Sequence, residues 1–150
     1  MPKILSLCVF ILFTLNLNAQ ADFINVEKKP VIYGCEYYKS PEENFKCMQL
    51  EIQRHIARNF RYPEAARVRG VQGKVYVCFT IDKSGNVKDV EVVKGIREKY
   101  WLRWWLKKYA QLIEEESTRV VSLLEFKEPA YNEGEAVAVM YTVPINARLQ

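Results

Sequence analysis

Histidine is nearly missing from this chain of 150 residues: His55 is the only one. It has no second histidine or cysteine at metal-ligand spacing, so neither a zinc site nor a histidine relay has its donors. No Gly-x-Ser-x-Gly elbow occurs, which removes the usual signature of a serine hydrolase. Gly70-Val71-Gln72-Gly73-Lys74 is a poor phosphate loop. Its spacing is wrong, Val75 stands where a hydroxyl is needed, and it leads into a strand and not a helix. Basic residues outnumber acidic ones by only 22 to 18 and are interleaved with them, so no nucleic-acid footprint is present. Repeats and low-complexity tracts are absent as well. No cofactor or metal is expected.

A spanning apolar run of roughly 20 residues is also missing. The longest run, Ile4 to Leu17, follows the single charge of Lys3 and ends at Ala19-Gln20-Ala21. That is the pattern of a signal peptide over residues 1–21, cleaved after Ala21 or after Ala19. An uncleaved membrane anchor is the competing reading. Cys8 is a poor lipoprotein site, since Leu7 precedes it and most of the apolar run follows it. Export leads to an oxidising compartment, where disulfides persist. Cys35 and Cys47, twelve apart in a loop-like region, are the natural pair, and closing so short a loop contributes roughly 2–3 kcal/mol. Cys78 is left over. It is either a reactive thiol or intermolecular link, or a small buried hydrophobe.

Residues 22–60 form a lead-in and a first helix, and residues 61–150 form the main domain. Turn signals at Lys28-Lys29-Pro30, Gly34 and Ser40-Pro41 mark the lead-in as extended. Glu42 to Phe60 is predicted helical, with Phe45, Met48, Ile52, Ile56 and Phe60 on one stripe. Ser40-Pro41 opens it and Tyr62-Pro63 ends it. A short helix over 63–69 leads to a strand at Lys74 to Ile81, with Val75, Val77, Phe79 and Ile81 on one face. Asp82-Lys83-Ser84-Gly85 turns the chain into a second strand, Asn86 to Val93. A long helix is expected over Glu98 to Leu124, with a break at Glu114-Glu115-Glu116. Pro129, Asn132 and Gly134 mark a loop, and Glu135 to Leu149 reads as a closing strand interrupted near Pro144. The fold class is therefore α+β: a small three-stranded antiparallel sheet covered on one face by helices.

Two clusters invite a chemical reading. Glu42-Glu43 and the glutamates at 114–116 adjoin along helices, where neighbours do not face each other, and read as solvated faces. Lys99 to Tyr109 interleaves aromatic and basic residues on what is read as a helix. Leu102, Trp105, Leu106 and Tyr109 would cover the sheet with Trp101 beside them, leaving Tyr100 and Trp104 pointing away. The alternative is an envelope-associated module whose Trp101, Trp104 and Trp105 meet a membrane or partner. An enzyme using Cys78 as nucleophile has no sequence-local partner to activate it.

The chain resembles the TonB C-terminal domain family, particularly its Bacteroidetes-type members. The resemblance rests on Asn59-x-x-Tyr62-Pro63-x-x-Ala66, Gly70-Val71-Gln72-Gly73-Lys74-Val75 and Phe79-x-Ile81-Asp82-x-x-Gly85-x-Val87-x-x-Val90. Arg119-Val120-Val121, Gly134-x-x-Val137-x-Val139-x-Tyr141-x-x-Pro144-Ile145 and the cysteine-bearing lead-in continue it. It implies a periplasmic domain that binds an extended segment, the TonB box, of a TonB-dependent outer-membrane transporter by strand addition. By position the binding edge would be Val137, Ala138, Val139, Met140, Tyr141, Thr142 and Val143, with Asn59, Arg61 and Tyr62 as a second patch. Self-association through the same edge is the other use of such a strand. Without an anchor or a proline-rich spacer, energy transduction by this chain alone is not expected. The aromatic-basic stretch is longer than the family's usual connection, and Glu125 and Glu128 stand where the family tends to place prolines.

Overall fold

A computed structural model describes residues 26–38 and 40–149, so the expected signal peptide over 1–21 lies outside the described residues. The lead-in folds into the main body. Its strand β1 (Val31–Ile32) pairs with a strand nearly a hundred residues later, and Lys28 bridges to Tyr131. Helix α1 spans Pro41–Asn59 and buries Met48, Ile52 and Ile56, the stripe its apolar spacing predicts. Pro41 occupies the first turn, where its missing N–H costs nothing. Cys35 and Cys47 are bonded, with Cα atoms 5.8 Å apart, so the lead-in is tied to α1.

Helix α2 (Glu64–Val68) carries the chain into β2 (Gly73–Ile81). Val75, Val77, Phe79 and Ile81 are fully buried there, as alternation predicts. Cys78 lies on the opposite face, yet it too is buried. Asp82 organises the turn to β3 (Val87–Lys94). Its carboxylate accepts the Ser84 and Asn86 amides at 2.9 Å each and pairs with Lys88 at 2.8 Å. Gly85 takes φ +84°, and a Cβ there would stand 3.2 Å from the Phe126 carbonyl. The positive φ favours glycine there, and the tight approach to that carbonyl adds to the preference.

The region after β3 departs from the expected long helix. Two short 3₁₀ turns, Arg97–Tyr100 and Trp104–Leu106, precede helix α3, Lys107–Ser122. The helix runs unbroken through the three glutamates. Glu114 is buried, not solvated: Oε1 accepts the amides of Ile96 (2.8 Å) and Arg97 (3.2 Å), and Oε2 meets Arg97 Nε at 2.7 Å. A satisfied carboxylate can remain inside, so the acidic run contributes an internal clamp and no helix break. Gly95 makes room for it, since a Cβ there would lie 2.1 Å from Glu114 Oε1. Tyr100 is buried, contrary to expectation, with its hydroxyl bonded to the Gln72 amide and carbonyl at 3.0 Å each. Leu106 is buried as expected, but Leu102 and Trp105 are exposed and do not cover the sheet.

After α3 come β4 (Phe126–Glu128), β5 (Ala130–Asn132), β6 (Glu135–Val137) and β7 (Val139–Ala147). The expected loop and single closing strand are therefore a β5–β6 hairpin followed by β7. Glu133 and Gly134 both adopt positive φ, 51° and 78°, as a two-residue primed turn demands. The main sheet is antiparallel in the order β3-β2-β7, with β1-β4 and β5-β6 as separate two-stranded pairs. α3 packs on β2 and β3 and touches α1 and α2. The three-stranded sheet with helices on one face is the architecture expected. β7 passes through Pro144 without interruption because β2 is its only described strand neighbour, and an edge strand tolerates a missing N–H.

Candidate functional site

The two edges of the main sheet differ in chemistry. β3 carries Lys88, Asp89, Glu91 and Lys94 within eight residues. Its pairing with β2 also slips twice. Between Cys78↔Glu91 and Thr80↔Lys88 one extra residue is accommodated, with Asp89 at φ 50°, and a second slip lies between Tyr76 and Val77. Charges and bulges both discourage a further strand. β7 has neither feature. Its nine residues, VMYTVPINA, are uncharged and pair with β2 in unbroken register from Val139↔Ile81 to Ala147↔Gly73. Among the described residues no strand pairs with its outer edge.

The residues predicted to form the edge divide on this geometry. Val137 belongs to β6 and pairs with Ala130, and Ala138 is the break between strands. Val139, Met140, Tyr141, Thr142 and Val143 lie on the open-edged strand, which continues to Ala147. Val139, Val143, Ile145 and Ala147 face the core, while Met140, Thr142, Pro144 and Asn146 are exposed. Tyr141 is half-buried against Phe79, with ring centroids 6.3 Å apart. Burial raises its phenol pKa to about 12. The extension of the edge to Ala147 was legible in the sequence as the uncharged run beyond Val143. The β5–β6 hairpin was legible in Asn132-Glu133-Gly134.

Asn59, Arg61 and Tyr62 are brought together, but largely by internal contacts. Asn59 Nδ2 donates to the His55 carbonyl (2.9 Å), and the Asn59 carbonyl accepts Arg119 Nη2 (2.8 Å). The Arg61 amide donates to Glu116 Oε1 at 2.6 Å. Burial opposes ionisation of Glu116, but hydrogen bonds from Arg119 and the Arg61 amide outweigh it and hold its carboxyl below the ordinary range. The Tyr62 hydroxyl donates to the Val71 carbonyl, and burial, with Tyr100 nearby, raises its pKa. These bonds join the α1–α2 connection to α3 and to the approach to β2. At that end of the sheet the Leu149 amide meets Gln72 Oε1 at 3.3 Å, so the patch and the end of β7 converge on residues 71–72. The Arg61 side chain stays exposed and Asn59 lines an open cleft of about 360 Å³ with Tyr33, Glu51, His55 and Arg58.

Residues 58–100 match the family model described as the Gram-negative bacterial TonB protein C-terminal. Protein TonB from Helicobacter pylori strain J99 is 47% identical over 46 residues, which is 31% of this chain and 16% of that protein. A second H. pylori strain gives the same figures. The match thus spans about one-sixth of the length of these curated relatives. Among solved structures, the H. pylori TonB C-terminal domain in solution is 30% identical, over 71% of this chain and 83% of that one, with a TM-score of 0.44. The Pseudomonas aeruginosa TonB C-terminal domain is 23% identical, over 60% and 78%, with a TM-score of 0.35. The family match begins at Arg58 and runs through the α1–α2 connection, β2, the Asp82 turn and β3 to Tyr100, so over this span the chain carries the sequence of a TonB C-terminal domain.

Proposed function

We propose that this is a non-enzymatic periplasmic domain that binds an extended segment, a TonB box, of an outer-membrane transporter by strand addition, in support of TonB-dependent transport. The observation carrying this reading is the contrast between edges: β3 is charged and bulged, whereas β7 is uncharged, regular and without a described outer neighbour. An added strand would gain main-chain hydrogen bonds along β7, and the alternating side chains would tune selectivity. Val139 to Val143 supply the contact, continued by Pro144 to Ala147. Asn59 and Arg61 offer side chains for a second contact, while Tyr62 serves the fold through its hydroxyl.

Titration of the ¹⁵N-labelled protein with a TonB-box peptide tests this. Amides of 139–143 and 145–147 should shift progressively, with smaller changes at Asn59 and Arg61. Silence of 139–147 at saturating peptide sinks the reading. Broadening of those amides with protein concentration alone would point to self-association through the same edge.

A further inference from the structure

The segment between the two 3₁₀ turns is the least explained surface of the molecule. Tyr100 anchors it on one side, through its hydroxyl bonds to Gln72, and buried Leu106 anchors it on the other. The five residues between are all exposed: Trp101 (70%), Leu102 (69%), Arg103, Trp104 (73%) and Trp105 (50%). The core does not use them. At about 200 Å² per tryptophan, they present roughly 400 Å² of aromatic surface to water. Isolated apolar residues on a surface need no explanation, but Trp101, Leu102, Trp104 and Trp105 are consecutive except for Arg103, with the Trp104 and Trp105 rings edge to face at 6.3 Å, and such a cluster marks an interaction site.

The surroundings of the patch indicate what it meets. From Arg97 to Ile113 the chain carries Arg97, Lys99, Arg103, Lys107 and Lys108 against one acid, Glu98. Arg97 is taken by Glu114, and Lys99 donates to the Gln72 carbonyl at 3.1 Å. Arg103, Lys107 and Lys108 make no ion pair among the described residues and are exposed. Exposed tryptophans with cations beside them, of which Lys108 also lies 4.9 Å from the Tyr109 ring centroid, have the composition of a bilayer interface. The indole rings suit the headgroup–acyl boundary, and the cations attract anionic headgroups. A stable protein interface needs about 800 Å² per partner, more than this tip provides.

We infer that Trp101–Trp105 is a membrane-docking loop that inserts its indoles and Leu102 into the interface of a bilayer bearing anionic phospholipid. This site uses residues other than those of the β7 edge and does not depend on the peptide-binding reading. Glu114 would act as the clamp that presents the loop, since it fixes the amides of Ile96 and Arg97 at the loop's approach.

All three tryptophans of the chain lie in this loop, so intrinsic fluorescence reports on it alone. With the protein recovered after export, vesicles of phosphatidylglycerol and phosphatidylethanolamine should shift the emission to the blue. Brominated acyl chains should quench it. Neutral phosphatidylcholine vesicles should bind roughly tenfold more weakly or less. In vesicle sedimentation, W101A/L102A/W104A/W105A should lose at least about tenfold in partitioning. R103E/K107E/K108E keeps the tryptophans as a probe and should lose the anionic preference. Unchanged emission at saturating anionic lipid overturns the inference. So does sedimentation of the quadruple variant equal to the parent's, which would place the contact elsewhere in the chain.

Discussion

The two outer strands of the sheet share one neighbour, β2, and differ in nearly everything else. β3 begins at a turn held by a carboxylate, carries four charges and is bulged twice. β7 follows a tight hairpin, carries no charge and keeps register over its whole length. An unprotected edge is a hazard that folded proteins normally suppress. Here charges and bulges guard β3, whereas on β7 only Pro144 interrupts the row of edge amides. The exposed tryptophan loop is a third surface, attached just beyond the closed edge, with the opposite chemistry: aromatic and basic where β7 is a neutral backbone edge.

The severest break to this comparison is loss of the support that both edges share. Phe79 is fully buried and packs between Phe126 and Tyr141. Phe79→Ala should cost about 3–5 kcal/mol in denaturant unfolding and weaken both edges together. Next is the clamp where β3 leaves the sheet. Glu114→Ala strands the Ile96 and Arg97 amides and should cost roughly 2–3 kcal/mol, with hydrogen exchange rising over 95–106 while the amides of β7 change little.

A subtler change gives β7 the character of β3. Met140→Lys with Thr142→Glu adds hydrated charges beside the open edge, and docking a strand there should weaken by roughly tenfold, about 1.4 kcal/mol, in peptide titration. The converse pair, Lys88→Thr with Glu91→Thr, should not create a second binding edge because the bulges remain. Peptide-induced shifts in β3 would show that charge alone kept it closed.

The smallest effect is in acid. A hydrogen bond from Lys88, then those from the Asn86 and Ser84 amides, hold the Asp82 carboxyl at about 2. A group whose folded pKa is depressed contributes fully above its ordinary value near 3.8 and loses that contribution as pH falls towards 2. The Ser84 and Asn86 amides, which donate to that carboxylate, should therefore show a chemical-shift transition across that window in the parent. Asp82→Asn should abolish the transition.

Much of this was legible from periodicity. The stripe of α1, the alternation of β2, the Asp-x-x-Gly turn and the Cys35–Cys47 pair all follow from local spacing, because each depends on residues within one or two turns of chain. The failures came where a distant neighbour decided. Glu114 looked solvated because its partners, the amides of Ile96 and Arg97, lie across the core from it in sequence terms. The helical pattern of 98–106 was overridden when Tyr100 found Gln72 and the chain turned twice in 3₁₀ geometry. The closing strand starts at Val139 and not at Glu135, because Val137 pairs with Ala130 in a hairpin within what reads as a loop.

The sequence alone determined the family resemblance, the α+β class and the buried faces of α1 and β2, since these rest on residue type and short-range period. Tertiary structure decided which strand edge stays open and which aromatic residues stay outside. Both depend on long-range pairing: β2 sits between its neighbours, and β1 comes back to β4. No local pattern encodes which side of a sheet remains unpaired, because that is settled only when every other strand has found its place.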